Sequence, residues 1–159
     1  KAMQMVTVYG IGPGNDEIPL WYGICSTGMP GQETVEGRFY LRPLTMGSYY
    51  GRWYLFVNSG IWIVNCSQIY GDYCFHSILY TRLFDPYSLN YPSYYDLGRK
   101  ATNGRVRMTV EDAGFIFDNC GGLPCDINAG FHSEELASIR QQLLDALPAT
   151  AEEYIKTMV

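Results

Sequence analysis

The first two thirds of the chain contain short apolar and aromatic segments separated by Gly, Pro, Asn and Asp. Short runs rich in Val, Ile, Tyr, Phe and Trp and bounded by turn residues are typical of β-strands. They predict strands near Met3–Tyr9, Ile18–Ile24, Thr34–Leu41, Tyr49–Val57, Ile61–Val64 and Tyr73–Tyr80. About six strands with short connections predict a mainly β domain, either a β-sandwich or a curled sheet.

Helical signals begin at Thr109, which is followed by two acidic residues in a variant of the capping box. Apolar residues then recur at helical spacing as far as Cys120, and Gly121-Gly122 ends the helix. The next segment, Leu123–Ile127, predicts a closing strand. One helix is therefore expected directly after a polar turn at 102–105.

The C-terminal tail has the sequence pattern of helices, unlike the strand-rich first part of the chain. Ser133 begins a helix that is expected to stop at Pro148, and Thr150 caps a last short helix that continues to Met158. We therefore expect a domain over residues 1–128 and a helical extension over 129–159 that packs on it.

The connection from Thr81 to Gly98 has no regular period in its sequence. It is longer than the usual loop of a compact domain, which favours a functional or lid loop. A surface loop packed together by its tyrosines explains the same sequence equally well, and both interpretations stay open.

Composition narrows the function classes. Apolar residues make up 47% of the 159 residues and charged residues 17%, as in a folded globular chain. The net charge of −5 argues against nucleic-acid binding, which requires a clustered basic surface. No apolar run is long enough to predict a membrane span. The chain starts on a strand without an initiator Met, so any targeting segment is expected upstream.

The five cysteines form no CxxC pair and have no histidine at a spacing that suits zinc. They are Cys25, Cys66, Cys74, Cys120 and Cys125. Cys120 and Cys125 are close enough in sequence to bridge, but buried free thiols are the expectation for all five. No metal and no cofactor is predicted, and the redox compartment stays open.

Candidate chemistry lies between Phe75 and Cys120. His76 is on a predicted strand, and the turn Thr102-Asn103-Gly104-Arg105 precedes the predicted helix. A histidine facing a glycine-containing turn is the frame of a nucleophile–base pair.

Four segments, in this order, resemble the catalytic domain of the bacterial L,D-transpeptidases. They are Cys25-Ser26-Thr27-Gly28, Thr34 with Gly37-Arg38-Phe39, Phe75-His76-Ser77 with Tyr80, and Leu97-Gly98 through Cys120. The resemblance covers most of the chain up to Ile127 and implies a β-sandwich with a helix after the active-site turn.

The resemblance also implies a chemistry. Family members remodel peptidoglycan with a cysteine thiolate that attacks the amide before the terminal D-Ala of a stem tetrapeptide. His76 matches the family's base, and Gly104 matches the glycine that precedes the nucleophile and helps to form the oxyanion site. The remaining expected substrate contacts are Ser77, Tyr80, Thr102, Asn103 and Arg107, the last as a carboxylate-binding or turn-ordering residue.

The position that should supply the thiol holds Arg105. A guanidinium stays protonated and cannot act as a nucleophile. Cys74, two residues before His76, points to the same strand face at about 6–7 Å and is the one candidate replacement.

Two functions therefore remain open from the sequence. The first is a catalytically inactive relative that keeps stem-peptide binding or a scaffold role. The second is an active peptidoglycan transpeptidase or carboxypeptidase that uses Cys74 with His76 as base. Both imply a location in the bacterial cell envelope or outside the cell, with other domains of a larger envelope protein as further possible partners.

Overall fold

The computed structural model describes all residues from 1 to 159. Strand residues make up 33% of the chain and helical residues 26%, which confirms the predicted mainly β class. The strands are β1 Met5–Ile11, β2 Glu17–Ile24, β3 Gly37–Tyr40, β4 Arg42–Leu44, β5 Trp53–Phe56, β6 Ile61–Val64, β7 Cys66–Tyr70, β8 Tyr73–Ser77, β9 Val106–Met108 and β10 Pro124–Ile127. The helices are α1 Tyr91–Tyr95, α2 Val110–Asn119, α3 Glu134–Ala146 and α4 Ala151–Met158.

The central sheet has the strand order β4-β7-β8-β9, and three two-stranded sheets surround it: β1-β2, β3-β10 and β5-β6. Strand β9 runs parallel to β8, whereas the other pairs are antiparallel. The parallel pairing places the turn before β9 at the same end of the sheet as the start of β8. This register brings residues 102–107 beside His76.

The two faces of the central sheet have different coverings. On one face Phe75, Val106 and Met108 pack against helix α2 through Ala113 and Ile116. Because side chains alternate along a strand, Cys74 and His76 point to the opposite face. There, Cys66 and Cys74 pack with Ile63 of the β5–β6 hairpin, which covers that side.

The tail helices pack on the domain. Ala151, Tyr154 and Ile155 of α4 are buried with Ile24, Ile78 and Tyr80 in one core cluster. The Tyr154 hydroxyl accepts a hydrogen bond of 3.0 Å from the backbone N–H of Val110, the first residue of α2. Helix α4 therefore supports the start of the helix that follows the polar turn.

Several local predictions were incomplete. Strands β4, β7 and β9 were missed, because each is short and depends on its neighbours more than on its own sequence pattern. The segment predicted as a strand over 49–57 begins with a 3₁₀ turn at Ser48–Tyr50 and is extended only over β5.

The segment 81–98 was expected to lack regular structure, which is wrong in part. It contains a 3₁₀ turn at Pro86–Ser88 and helix α1, capped by the side chains of Asp85 and Asn90 respectively. The side chains of Leu89, Tyr94 and Leu97 are buried in the core, so half of this segment is anchored. No helix of the structure combines the length and the apolar character that a membrane crossing needs.

Candidate active site

His76 is almost completely enclosed, with 2% of its surface exposed. Its Nδ1 lies 2.5 Å from the backbone oxygen of Ser77. A carbonyl oxygen can only accept, so Nδ1 carries the proton and Nε2 of the neutral ring is the free basic nitrogen. Burial, together with the smaller effects of the nearby Arg107 and Arg105 guanidiniums, lowers the pKa of His76 to about 3, although the hydrogen bond to the Ser77 carbonyl acts in the opposite direction. The ring is therefore neutral at physiological pH.

The polar turn is held in place by Thr102. Its Oγ1 accepts a hydrogen bond of 3.1 Å from the Gly104 N–H and donates one of 2.6 Å to the Arg105 carbonyl. Gly104 has φ +112°, a conformation that glycine adopts easily and other residues rarely do. The Gly104 N–H thus already donates to Thr102. Its expected role in an oxyanion site remains a prediction, and this hydrogen bond does not favour it.

Arg105 projects from this turn onto an aromatic ring. Its guanidinium carbon lies 4.2 Å from the ring centroid of Phe56, and the Phe56 ring lies 5.1 Å from the His76 ring at 87°. A cation over an aromatic face is an attractive arrangement. Phe56, on the β5–β6 hairpin, therefore links the guanidinium to the histidine.

Arg107 is paired in register with His76 across the parallel β8–β9 ladder. It is 7% exposed, and its Nε is buried without a hydrogen-bond partner. Burial lowers the pKa of Arg107, and Asp96 opposes this effect at longer range. A largely buried cation thus lies on the same side of the sheet as His76.

The other predicted substrate contacts lie in different environments. Asn103 is exposed, and it lines a cleft of about 310 Å³ together with Asp72, Tyr73 and Arg105. Ser77 is buried, where its hydroxyl donates to the Ile78 carbonyl at 2.7 Å and accepts from the Val64 N–H at 2.8 Å.

Tyr80 is 2% exposed and lies in the core, in contact with the ring of Trp53. Its backbone N–H and carbonyl both bond to Trp62. Ser77 and Tyr80 therefore hold the β5–β6 hairpin against the domain, and this geometry gives no support to their expected contact with substrate.

All five cysteines are free. Cys66 and Cys74 are 1% and 4% exposed, on neighbouring strands. Hydrogen bonding with the Cys66 thiol lowers the pKa of Cys74, burial opposes this, and the Arg105 guanidinium lowers the pKa further. The same thiol–thiol interaction, together with burial, raises the pKa of Cys66.

The hydrogen bond of His76 goes to the backbone of Ser77, and no bond joins Cys74 to the histidine ring. The expected replacement pair of Cys74 and His76 is therefore not formed. The remaining thiols lie elsewhere: burial raises the pKa values of Cys25 and Cys125 to about 12, and Cys120 packs in the core beside α2.

Sequence reasoning missed three neighbours of the site: Phe56, Asp72 and Tyr73. Asp72 directly precedes the histidine strand and Tyr73 is its first residue, so they lie four and three residues before His76 in the sequence. Phe56 has no such signal, because it reaches the site through the folding of the β5–β6 hairpin over the sheet.

A family model for the L,D-transpeptidase catalytic domain matches residues 2–130. No curated protein matches the chain. Among solved structures, the chain is similar to a fused Zn-dependent amidase/peptidase/peptidoglycan-binding domain-containing protein from Clostridium acetobutylicum. That match has 24% identity and a TM-score of 0.54, and it covers 79% of this chain and 48% of the other.

Two further structures are more distant. An L,D-transpeptidase from Mycobacterium tuberculosis H37Rv matches with 18% identity and a TM-score of 0.49, over 67% of this chain and 42% of the other. An L,D-transpeptidase from Mycobacterium smegmatis matches with 17% identity and a TM-score of 0.45, over 70% of this chain and 50% of the other. The chain thus spans half or less of these solved chains. Since the family model covers most of the sequence, the chain belongs to the L,D-transpeptidase catalytic domain family.

Proposed function

We propose that this chain is a non-catalytic member of its family, which binds the stem peptide of peptidoglycan without forming an acyl-enzyme. The observation that carries the proposal is the position of Arg105. It directly follows Gly104, where the family's nucleophile is expected, and its guanidinium stacks on Phe56 next to His76. A protonated guanidinium supplies no electron pair for attack on an amide.

The surroundings of Arg105 support a retained binding site for a stem peptide. The Thr102–Gly104 turn is hydrogen-bonded and His76 keeps one fixed tautomer, and both observations support the proposal that the site around Arg105 is retained. A cleft leads to Arg105 past the exposed Asn103. Since members of the family act on cell-wall peptidoglycan, the proposal places the chain in the bacterial cell envelope or outside the cell.

The test is to restore the thiol. Arg105→Cys and the matched control Arg105→Ser are incubated with a carbapenem, a covalent inhibitor class of these enzymes, and intact mass is measured. The proposal predicts a stoichiometric adduct on Arg105→Cys only, because His76 and the turn are retained. If Arg105→Cys folds but forms no adduct, the site has diverged beyond its nucleophile, and the argument for a retained groove fails.

A second candidate function is an active transpeptidase or carboxypeptidase that uses Cys74. It is favoured by the lowered pKa of Cys74 beside Cys66 and Arg105. It is opposed by the 4% exposure of Cys74, because an acyl-enzyme requires that the substrate carbonyl reach the sulfur.

This candidate predicts hydrolysis or exchange of the terminal D-Ala of a stem tetrapeptide by the parent chain. Cys74→Ser should abolish that activity, while the core variant Cys120→Ser should retain it. The absence of any activity in the parent chain rules this candidate out.

A further inference from the structure

Five aromatic side chains from three separate segments of the chain meet at the surface beside the β5–β6 hairpin. The ring centroid of Tyr49 lies 5.1 Å from that of Tyr50 and 5.7 Å from that of Phe84. The ring of Tyr50 lies 5.9 Å from that of Trp62, and the ring of Phe84 lies 6.0 Å from that of Trp53. These five rings form one continuous cluster, which we call the aromatic platform.

The platform has an exposed layer on a partly buried base. Tyr49 is 74% exposed and Phe84 is 47% exposed, whereas Trp53 and Trp62 are partly buried and pack against the core. Rings that are fixed by stacked and edge-on contacts have little conformational freedom left to lose when a ligand binds. The exposed rings are therefore held in one arrangement in advance of binding.

The platform and the surroundings of His76 lie on different faces of the hairpin. Leu55 is paired in register with Trp62, and Trp53 lies two residues before Leu55, so the two tryptophans share one face. Phe56, whose ring contacts that of His76, points to the opposite face. The platform is thus a surface distinct from the candidate active site.

Phe84 is held in an unfavourable backbone conformation. Its φ is +58°, in the left-handed region that bulky residues rarely adopt. Its neighbours fix it there: Arg82 donates to Asp85 from Nε at 2.9 Å and from Nη2 at 2.6 Å, and Asp85 accepts from the Tyr87 N–H at 2.9 Å. Backbone strain of this kind persists where the surroundings impose it, and it is concentrated at ligand contacts. Since almost half of Phe84 is exposed, core packing does not account for the strain.

Polar groups at the platform are free to bind a ligand. The tyrosine hydroxyls that form hydrogen bonds within the chain lie on helices α1 and α4, and those of Tyr49 and Tyr50 form none. The indole N–H groups of Trp53 and Trp62 also lack a partner in the chain, and neither is among its buried unpaired polar atoms, so solvent reaches both. Aromatic faces and unsatisfied hydrogen-bonding groups therefore occur together.

The charged residues that flank the platform in sequence are already paired. Arg82 is paired with Asp85 at 2.6 Å, and Arg52 is paired with Asp118 at 2.6 Å. A surface without a free charge favours a neutral ligand over an ion. A sugar ring is such a ligand, because it has a flat face of C–H groups that can lie on an aromatic ring and a rim of hydroxyls that can bond to polar groups.

We propose that the aromatic platform binds a neutral sugar chain, with sugar rings stacked on Tyr49 and Phe84. The identity of this chain as the glycan strand of peptidoglycan rests on the proposed function. The protein would then contact the cell wall at two surfaces, with the stem peptide at the cleft beside Arg105 and the sugar strand at the platform.

The experiment is an NMR titration of the whole chain with chitotriose, the neutral trimer of N-acetylglucosamine. We expect the indole N–H signals of Trp53 and Trp62 to shift, and that of Trp21, which stacks on Phe115 elsewhere, to stay in place. Tyr49→Ala should weaken binding at least about fivefold, because it removes a stacking face. The absence of chitotriose binding, or of these shifts, overturns the proposal.

The matched control is Tyr40→Ala. Tyr40 is 65% exposed, and its ring contacts no ring of the platform. This variant should bind chitotriose as the parent chain does. Equal weakening by Tyr40→Ala and Tyr49→Ala would mean that any exposed tyrosine contributes, which overturns the platform as the site.

A second pair of variants separates binding from folding. Phe84→Gly and Phe84→Ala both remove the ring, but only glycine adopts a positive φ without strain. Both should lose chitotriose binding, and Phe84→Gly should have the higher melting temperature of the two. Binding by a folded Phe84→Gly that equals that of the parent chain overturns the role of the ring.

Two other ligand classes are tested directly. Tetramethylammonium is the probe for an aromatic cage that recognises a cation. Stronger shifts of the two indole signals with tetramethylammonium than with chitotriose overturn the assignment to a neutral sugar. Size-exclusion chromatography tests self-association, and a parent dimer that Tyr49→Ala converts to a monomer would assign the platform to contact between copies instead.

Failure of the sugar site and failure of the proposed function give different results. A stem tetrapeptide that binds to a chain without affinity for chitotriose overturns the sugar site and leaves stem binding in place. Binding of chitotriose without binding of the tetrapeptide supports the sugar site and overturns the proposed function.

Discussion

His76 is a neutral ring enclosed by protein next to two permanent cations. The pKa of about 3 results first from burial and then from the two arginines. In the unfolded chain, histidine titrates near 6.5. Between these two pH values the unfolded state binds a proton at His76 and the native state does not. The free energy of unfolding therefore decreases as the pH falls below about 6.5.

We therefore predict that the ¹⁵N signals of His76 keep the pattern of a neutral ring protonated at Nδ1 down to about pH 4. The same ring in the urea-unfolded chain should titrate normally and serves as the control. A native titration midpoint near 6 would show that the ring is accessible to solvent, in contradiction to the closed pocket.

Gly104 allows the turn to pass close to its neighbours. A Cβ at this position would lie 3.0 Å from Cε1 of Tyr73 and 3.4 Å from the carbonyl oxygen of Gln32, at a φ of +112°. Gly104→Ala should therefore lower the free energy of unfolding by about 1–3 kcal/mol in urea denaturation.

The matched control is Gly31→Ala, which also has a positive φ, +86°, but has open space around the added carbon. It should lose less stability, because the contact with Tyr73 is absent. Equal losses in the two variants would mean that backbone conformation alone determines the cost at Gly104.

At the scale of elements, helix α4 stabilises the start of α2. The Tyr154 hydroxyl accepts from the Val110 N–H at 3.0 Å and donates to Glu111 at 3.1 Å. Tyr154→Phe leaves a buried N–H without a partner, which should cost about 1–3 kcal/mol of stability. Tyr87→Phe, at an exposed tyrosine, should be close to neutral. A neutral Tyr154→Phe would show that the tail is not coupled to α2.

Local signals predicted most element types. Thr109, Ser133 and Thr150 were expected to begin helices, and each side chain accepts the backbone N–H of the third residue after it. Strand β9 and its parallel pairing with β8 were missed, because three residues carry too little periodicity and the partner is distant in sequence.

In the candidate site, too, contacts between residues distant in sequence were not predicted. The family's motifs located His76 and the 102–105 turn, but the guanidinium–aromatic contact with Phe56 depends on how the β5–β6 hairpin folds over the sheet. The burial of Ser77 and Tyr80 likewise follows from hairpin packing, which strand alternation alone did not indicate.

The stability of the whole molecule should depend on Asp112. Burial, and then the neighbouring Glu111, raise its pKa to about 6 from 3.8. The native state therefore binds a proton more readily than the unfolded chain. The charged Asp112 carboxylate lowers the free energy of unfolding by its full amount above pH 6, and this loss disappears as the pH falls towards 4. Asp112→Asn should stabilise the chain by about 1 kcal/mol at pH 7.5, after allowance for solvent screening, and by almost nothing at pH 4.

The exposed Asp16→Asn is the control and should show no such pH dependence. Urea denaturation at the two pH values measures both variants. A stabilisation of Asp112→Asn that is the same at pH 4 and pH 7.5 would contradict the pKa shift.

The central claim is that this fold binds peptidoglycan stems without covalent chemistry. The most direct measurement is the intact mass of the unaltered chain after prolonged incubation with a carbapenem at neutral pH, with Arg105→Cys as the positive control. The account predicts an unchanged mass for the parent chain and one added inhibitor for the variant. A stoichiometric adduct on the parent chain would contradict the account, and peptide mapping would then identify the thiol that carries it.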